Sequence, residues 1–354
     1  MTTQTSRSTS TSTSTSTEIV LPGKVEPHGL LVRTSPVELP AAGRVLVRME
    51  YTGVAFAEQQ MRRGKYYNQP AFPFVPGYDL VGIVEQVGEG VDPTWIGRRI
   101  AAVTKIGAWA TVVDVAASDL LPVSADADPA AVETLIVNGI TAWQMLHDQA
   151  RVRRGGTIVV LGANGGVGST LVQLARHAGI RVIGTAATRH HDLVRSLGAE
   201  PVDYRDPQVY DRIRDLAPDG VDAVFDHVGG AGIRDSWSLL RSGGALVAYG
   251  TASSKDEDGN SQLPILRLFA RLALWNLAPN GRRAMFYDFW AGKTRRPARY
   301  QVQQADAFAQ VIGLLADGAL EPQIAARFPL GQAADALTLA ESRTVAGKVI
   351  LQAR

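Results

Sequence analysis

The sequence predicts an α/β protein in which a β-barrel-like domain is joined to a doubly wound parallel sheet. Residues 25–123 carry short β-branched runs separated by Gly and Pro turns, whereas apolar strands alternate with helices after Asp128. Strands that are apolar throughout are buried on both faces, so this alternation indicates a parallel sheet covered by helices. A glycine-rich turn at residues 162–168 follows one of these strands directly. Together these observations predict two domains with different architectures.

In the first domain, the strand-like runs lie at residues 30–32, 45–47 and 80–84, with turns at 76–77 and 88–90 and a helical period only at 57–63. In the second domain, strands are predicted at residues 157–161, 181–185, 222–226 and 245–249, with helices at 168–177, 191–197 and 233–240. An Ala-rich helix at 129–147, broken at Asn138-Gly139, precedes them. An apolar helix at 263–277, an aromatic and basic stretch at 282–290, a helix at about 305–318 and a strand at 348–351 follow.

The composition excludes several functional classes. The length of 354 residues allows about two domains. With 36 Lys and Arg against 34 Asp and Glu, the net charge of +2 provides no general field for nucleic acid, and we expect no such partner. The sequence contains 0 Cys and 6 His without an HExxH pair, which excludes thiolate zinc sites and disulfides. We therefore expect no metal.

Residues 1–18 are predicted to be a disordered tail, because residues 2–17 consist almost entirely of Ser and Thr and cannot bury apolar surface. This segment lacks the apolar core of a signal peptide. The longest apolar segment, at 263–277, is interrupted by Arg267 and Arg271. We therefore expect a cytoplasmic protein with no stable membrane insertion.

The glycine-rich turn has the context of a dinucleotide-binding fingerprint, because a strand precedes it and a helix follows. Glycines permit the tight turn and let a pyrophosphate approach the N–H groups at the positive end of the helix. The alternative is a turn that serves packing alone. The candidate cofactor-binding residues here are Ala163, Asn164, Gly165, Gly166, Val167 and Gly168.

The end of the second parallel strand favours NADPH over NADH. An NAD site places a carboxylate about 20 residues after the glycines. Here the chain continues from Thr185 to Arg189 and His190 without a carboxylate before Asp192. The Arg189 guanidinium can bind a 2′-phosphate through paired hydrogen bonds, with support from His190 or His191.

The chain resembles the medium-chain dehydrogenase/reductase superfamily, in its zinc-free quinone oxidoreductase (zeta-crystallin-like) branch, over residues 25–354. The resemblance rests on motifs in the expected order at residues 76–82, 87–91, 139–142, 163–168, 197–199, 226–230 and 347–348. It implies a GroES-like catalytic domain at 19–138, a Rossmann domain at 139–275 and a segment at 276–354 that completes the catalytic domain. It also implies an active site between the domains and a homodimer paired through Rossmann sheet edges.

The resemblance further implies roles for single residues. Thr141 should contact the cofactor phosphates together with the glycine turn, and Tyr204 should lie beside the 2′-phosphate with Arg189 and His190. Lys348 should lie near the cofactor in the cleft. The residues expected along the nicotinamide half are Val228, Gly229, Gly250 and Thr251.

The sequence departs from this branch where its chemistry is expected. The usual Asn, Asp and first Tyr of the early motif are Ala55, Glu58 and Gln60, whereas Tyr66 keeps the second Tyr position. The cofactor assignment is unaffected, but the preference for quinone is weakened. The zinc-dependent branch is excluded because its catalytic Cys is absent.

The expected reaction is hydride transfer from NADPH to a small hydrophobic quinone or α,β-unsaturated carbonyl. Negative charge develops on the acceptor oxygen, so a nearby donor stabilises it. The candidate catalytic residues are Tyr66, Gln60 and Lys348, although Tyr66 acting by packing alone explains its position equally well. Glu58 is interpreted as a structural hydrogen-bond acceptor.

Two other functions remain open: an NADPH-binding protein with little activity and an enoyl-thioester reductase. For the latter, Arg282-Arg283 and Arg295-Arg296 would hold a phosphate-bearing substrate, although such pairs are also typical of a solvated surface. The segment at 263–290 is predicted either to form an apolar wall over the cleft or to pack as a dimer-interface or core helix.

Overall fold

The structure, a computed structural model, describes residues 14–252 and 262–353 and confirms the predicted α/β class. A hairpin at the start of the chain pairs strand β1 (Thr15–Val20) with β2 (Leu31–Pro36) in antiparallel register. A mixed seven-stranded sheet and a parallel six-stranded sheet follow.

The seven-stranded sheet combines both ends of the chain. Its strands are β3 (Arg44–Val54), β4 (Asp79–Val87), β5 (Arg99–Val103), β6 (Val112–Ala116), β7 (Leu121–Pro122), β14 (Ile324–Pro329) and β15 (Lys348–Gln352). The order is β14-β15-β3-β4-β5-β7, with β6 also pairing with β3. Antiparallel pairing of β15 with β3, from Val349 opposite Val54 to Gln352 opposite Tyr51, completes this sheet from the C-terminal segment.

The six-stranded sheet is parallel throughout. Its strands are β8 (Thr157–Val160), β9 (Arg181–Ala186), β10 (Ala199–Asp203), β11 (Val221–Asp226), β12 (Leu240–Ala248) and β13 (Arg283–Phe286), in the order β10-β9-β8-β11-β12-β13. The chain places β9 and β10 on one side of β8 and β11, β12 and β13 on the other. A crevice for a ligand therefore opens at the carboxyl ends of β8 and its neighbours, where the strand order reverses.

Nine α-helices lie in the part of the chain that the structure describes. They are α1 (Phe56–Arg62), α2 (Pro129–Trp143), α3 (Gly166–His177), α4 (His191–Leu197), α5 (Val209–Leu216), α6 (Ile233–Ser238), α7 (Gln262–Trp275), α8 (Pro297–Ala316) and α9 (Ala333–Glu341). A π-helical turn, Gln144–Ala150, extends α2. Among the described residues, no helix has the length and apolar character needed to cross a membrane.

The prediction that residues 1–18 form a disordered tail is wrong for its last part. Thr15–Val20 form β1, and the buried hydroxyl of Ser16 donates to the carbonyl of Val112. Residues 1–13 lie outside the described residues. A strand of Ser and Thr is stable here because hairpin pairing and this hydrogen bond use its polar groups, which low-complexity composition does not reveal.

Two further expectations need correction. Helix α2 is not broken at Asn138-Gly139; Gly139 instead permits close packing, because a Cβ there would lie 2.6 Å from Cγ1 of Val311 on α8.

The domain boundary at residue 275 was placed too early, since β13 (Arg283–Phe286) pairs with β12 in the parallel sheet. Strand β10 and helix α5 were not predicted; β10 is an edge strand and contains Pro201, which interrupts its apolar pattern.

Candidate active site

The glycine turn closes tightly between β8 and α3. Gly162 has a φ of +73°, and the N–H of Gly165 donates to its carbonyl at 3.0 Å. A Cβ on Gly168 would lie 2.1 Å from the same carbonyl oxygen, so only glycine fits there. The first N–H groups of a helix have no partners within it, so the start of α3 at Gly166 can bind an anion. This cradle fits the pyrophosphate of a dinucleotide.

Asn138 of α2 lies directly against this turn. A Cβ on Gly166 would lie 2.5 Å from Nδ2 of Asn138, which donates to the carbonyl of Thr134 at 3.0 Å. Thr141, the predicted phosphate contact, is buried farther along α2, one turn before Gln144, whose Oε1 accepts from the Tyr287 hydroxyl at 2.8 Å. Asn138 was predicted to break the helix; a buried amide within an apolar helix was the signal that it had another role.

The turn also contacts the C-terminal segment. The N–H of Gly347 donates to the carbonyl of Asn164 at 2.9 Å, and Gly165 forms a parallel bridge with Gly347. Lys348, the next residue, begins β15 of the seven-stranded sheet. These contacts join the dinucleotide-binding turn directly to the barrel domain.

Lys348 lies in a buried cluster of charges. Its Nζ donates to Oδ2 of Asp79 at 2.8 Å, to Oε1 of Glu133 at 2.7 Å and to the carbonyl of Glu133 at 3.2 Å. Burial alone would lower the pKa of Lys348, but Asp79 and Glu133 hold it above its ordinary value. An ammonium has three donors, and all three are used. The prediction that Lys348 stabilises a substrate oxyanion is therefore wrong; its ammonium instead joins β15 to β4 and α2 within the catalytic domain.

Glu58 extends this cluster. Its Oε2 accepts from the N–H of Ala55 at 2.9 Å at the start of α1, which confirms its interpretation as a structural acceptor. Burial and the nearby Asp79 carboxylate raise the pKa of Glu58 to about 8. Two carboxyl groups thus contact the ammonium and a third lies close enough to Asp79 to feel its charge, and at neutral pH Glu58 holds a proton.

This proton makes stability depend on pH. The folded protein binds it more tightly than the unfolded chain, so its contribution is complete below the ordinary pKa of a glutamate and is lost as the pH rises through about 8. Between about pH 6 and pH 9 the free energy of unfolding should decrease in the wild type. In a Glu58→Gln variant we expect this decrease to be smaller by at least about 1 kcal/mol. Urea unfolding across this range measures the difference, and parallel curves would contradict the assignment.

Tyr66 lies in a chain of hydrogen-bonded aromatic side chains. Its hydroxyl is 2.9 Å from that of Tyr78, to which the indole N–H of Trp290 donates. Burial raises the pKa of Tyr66, so its phenol stays protonated. The ammonium of Lys105 lies 5.9 Å from the centroid of the Tyr66 ring. Lys105 and Trp290 were not predicted as site residues, because only the folded chain brings them to Tyr66.

Gln60, the second candidate donor, is buried on α1 close in sequence to Tyr66. Its Nε2 has no hydrogen-bond partner among the described residues. Buried donors are nearly always paired, so an unpaired one requires an explanation.

Arg189 and His190 meet at the carboxyl end of β9. Arg189 donates from Nε to Nε2 of His190 at 3.1 Å and from Nη2 to the carbonyl of Arg343 at 2.6 Å. Burial and Arg189 lower the pKa of His190, which keeps it a neutral acceptor. Tyr204 lies after β10, half exposed, with the Arg205 guanidinium 5.6 Å from its ring centroid. Arg205 and Arg343 add positive charge that the sequence analysis did not assign.

Thr185 supports the turn from β9, since its hydroxyl accepts from the N–H of Gly162 at 3.0 Å. On the other side of β8, Oδ1 of the buried Asp226 accepts from the N–H groups of Val228 and Gly229, both at 2.8 Å. A Cβ on Gly229 would lie 3.3 Å from the carbonyl oxygen of Gly250. The loops after β11 and β12 thus lie together, as expected for Val228, Gly229, Gly250 and Thr251.

One part of the segment at 263–290 packs as a core helix, and another part faces the cleft side of the barrel domain. Helix α7 packs Leu268 and Leu272 into the core of the parallel sheet. Phe289 and Trp290 instead contact Tyr78 of the barrel domain, with ring centroids 6.2 Å and 5.5 Å from it. The aromatic part therefore faces the barrel, whereas the helix is mainly structural.

Both arginines of the pair Arg282-Arg283 in this segment have partners within the protein. Arg282 stacks on Trp237, with 5.7 Å between its guanidinium and the ring centroid, and Arg283 donates to the carbonyls of Gln149 and Ala150. No group of three or more His, Cys, Asp or Glu able to hold a metal ion occurs within residues 14–252 and 262–353.

Comparisons with known sequences agree with these two sheets. The alcohol dehydrogenase GroES-like domain profile matches residues 41–125, and the zinc-binding dehydrogenase profile matches residues 197–351. The synaptic vesicle membrane protein VAT-1 homolog of Rattus norvegicus is 30% identical over 321 residues, which cover 88% of this chain and 77% of that protein. A mycocerosic acid synthase-like polyketide synthase of Mycobacterium tuberculosis is also 30% identical, over 88% of this chain but only 14% of that protein.

Solved structures show the same fold. A mycobacterial protein crystallised with NADPH is 28% identical and superposes with a TM-score of 0.81, covering 95% of this chain and 99% of its own. A quinone oxidoreductase of Pseudomonas syringae superposes with a TM-score of 0.82 at 25% identity, over 95% of this chain and 99% of its own. The chain belongs to the medium-chain dehydrogenase/reductase superfamily, in its zinc-free, quinone oxidoreductase-like branch.

Proposed function

We propose that this protein is an NADPH-dependent reductase that transfers hydride to a quinone or an α,β-unsaturated carbonyl without zinc. The contact of Asn164 and Gly165 with Gly347 carries the proposal, because it brings the dinucleotide-binding turn against the domain that presents Gln60 and Tyr66. The likeness to a mycobacterial structure that contains NADPH supports the cofactor.

Bound NADPH supplies the hydride, and the chain's own residues manage the charge and the proton. As hydride arrives, negative charge grows on the acceptor oxygen, where the unpaired N–H of Gln60 can donate. Because the Trp290 N–H donates to the Tyr78 oxygen, the Tyr78 hydroxyl is free to donate its own hydrogen bond to the Tyr66 oxygen. In this arrangement the hydrogen of Tyr66 is available to the substrate, so Tyr66 can complete the reduction as general acid.

The acceptor class is tested by NADPH oxidation with benzoquinone, phenanthrenequinone, an alkenal and crotonyl-CoA, with NADH in parallel. We expect turnover with quinones or the alkenal and a preference for NADPH. Tight NADPH binding without turnover of any acceptor would overturn the proposal and indicate a cofactor-binding protein of low activity.

An enoyl-thioester reductase is the second candidate, because the match to the polyketide synthase covers nearly the whole chain. The geometry weakens one argument for it, since Arg282 and Arg283 already have partners. Turnover of crotonyl-CoA alone in the same panel would favour this reaction.

The cofactor preference has its own test. In an Arg189→Ala variant we expect the Kd for NADPH to rise about 10- to 100-fold, because one charge-assisted pair to the 2′-phosphate is lost. The Kd for NADH should change little. Calorimetric titration measures both constants, and Arg195→Ala, which removes an exposed arginine of α4, is the matched control. Equal losses for both cofactors would remove Arg189 from the phosphate site.

We also propose a homodimer paired through β13, the edge strand of the parallel sheet. An edge strand presents outward backbone N–H and C=O groups with which a second copy can pair; in β13 the Asn276 side chain already pairs with both groups of Ala284. Light scattering coupled to size exclusion should give twice the chain mass. A monomeric wild type would contradict the proposal.

A further inference from the structure

We propose that a cavity at the amino ends of the parallel strands is a binding site for a diphosphate group, either free or carried by a nucleotide. The cavity measures about 230 Å³ and lies where Arg153 precedes β8, Asp222 lies at the start of β11 and Arg283 begins β13. The glycine turn follows the other end of β8, so the cavity is separate from the proposed cofactor site. Nothing in the proposed hydride transfer uses it.

Positive charge dominates the lining. Only one carboxylate, that of Asp222, lines the cavity beside four arginines, which are Arg151, Arg153, Arg241 and Arg283. This carboxylate is already used, because Oδ1 accepts from Nη2 of Arg241 and Oδ2 accepts from the N–H of Thr157 at 2.8 Å. Three arginines of the lining are thus left without a carboxylate there. Guanidinium groups held together repel one another, and a bound anion relieves that repulsion.

Two of these arginines are held in place by neutral acceptors at the end of the π-helical turn. Arg283 donates from Nη1 and Nη2 to the carbonyls of Gln149 and Ala150, at 3.3 and 3.0 Å. Arg151 donates from Nε to the carbonyl of Asp148 at 2.9 Å, and its φ of +55° is rare for a residue other than glycine. The end of a helix carries only about half a negative charge, so its carbonyls position two full positive charges without neutralising them.

The guanidinium of Arg153 has no partner among the described residues, and its side chain is exposed. The carboxylate of Asp148 feels the charge of Arg151, but Asp148 is exposed and lies outside the lining. A guanidinium offers five N–H donors in a planar fork that matches two phosphate oxygens. Arg153 and Arg283 therefore supply the charge and the donors that a phosphate requires.

The number of charges selects the ligand. A phosphate group carries a charge of about −1.5 to −2 near neutral pH, so two joined phosphates balance three arginines better than a single phosphate or carboxylate does. The charged side chains also make the lining polar, which disfavours an apolar occupant. A diphosphate group matches both properties of the cavity.

The test is calorimetric titration of the full chain with sodium diphosphate at low ionic strength, with NADPH at saturation so that the cradle at α3 is occupied. We expect one site, and we expect sulfate to bind at least about tenfold more weakly because it carries less charge. Arg153→Met should raise the Kd for diphosphate about three- to tenfold, and Arg151→Met combined with Arg153→Met should raise it more than about tenfold. Gly166→Val, which obstructs the cradle, should leave this Kd unchanged, so the result does not depend on NADPH binding.

The matched control is Arg154→Met, which removes the same charge one residue away. Arg154 lies outside the lining, where a Cβ on Gly179 would lie 3.1 Å from its Cζ, and its loss should change the Kd less than about twofold. Unchanged thermal unfolding shows that each variant is folded.

Titration with ADP distinguishes the two sources of the diphosphate group. An affinity for ADP no higher than that for inorganic diphosphate indicates the free ion, and a higher affinity indicates a nucleotide. The proposal is overturned if diphosphate does not bind, if sulfate binds equally well, if the double variant keeps the wild-type Kd, or if Arg154→Met weakens binding as much as Arg153→Met.

Discussion

Gly166→Val should abolish NADPH binding and leave the barrel domain folded. The new Cβ would lie 2.5 Å from Nδ2 of Asn138, and the branched side chain would occupy the space at the start of α3 where the pyrophosphate must approach. We expect the Kd for NADPH to rise more than about 100-fold, since several phosphate contacts are lost together. Calorimetric titration measures the loss, and circular dichroism reports the fold.

Two controls separate the causes of this loss. Gly313→Val introduces the same change on α8, where a Cβ meets nothing within 4 Å, so binding should be kept. Combining Asn138→Ala with Gly166→Val relieves the collision with α2 but not the obstruction of the phosphates, so binding should remain lost. Retained binding in Gly166→Val would mean that the turn does not hold the cofactor.

Lys348→Met should cause the largest loss of stability. The variant leaves Asp79 and Glu133, both fully buried, without their cation. The side chain at 348 is tightly packed, because a Cβ on Gly53 would lie 2.1 Å from Cε of Lys348. Removing one partner of a buried ion pair typically costs about 3–5 kcal/mol. Urea unfolding at neutral pH should show a loss of this order.

The matched control is Arg195→Met, which breaks an exposed ion pair with Asp192 and should cost less than about 1 kcal/mol. Adding Glu133→Gln and Asp79→Asn to Lys348→Met should recover part of the stability, because the orphaned carboxylates become neutral. A loss below about 1 kcal/mol in Lys348→Met would show that the cluster contributes little to stability.

Features encoded by neighbouring residues were predicted well. Strand β8, the glycine turn and α3 follow one another along the chain, and helix α4 (His191–Leu197) has the predicted bounds. The placement of Arg189 and His190 at the end of β9 also follows from chain order alone. Such features depend on local periodicity and turn chemistry, which the sequence displays directly.

Features that depend on distant residues were missed or misassigned. Lys348 looked like a free donor until the fold placed Asp79 and Glu133, from β4 and α2, around its ammonium. The Ser/Thr run looked disordered until the fold placed Val112 beside Ser16, and β13 was assigned to the wrong domain because α7 lies between it and its partner β12 in the chain.

The sequence by itself determined the fold class, the nucleotide-binding turn and the charge that favours a 2′-phosphate. Tertiary structure alone decided which polar groups are satisfied: the Lys348 ammonium is fully bonded, whereas Nε2 of Gln60 and Oε1 of Gln304 have no partner among the described residues. The physical reason is that periodicity shows which side chains are buried, but a hydrogen bond forms only with the group that packing brings within reach.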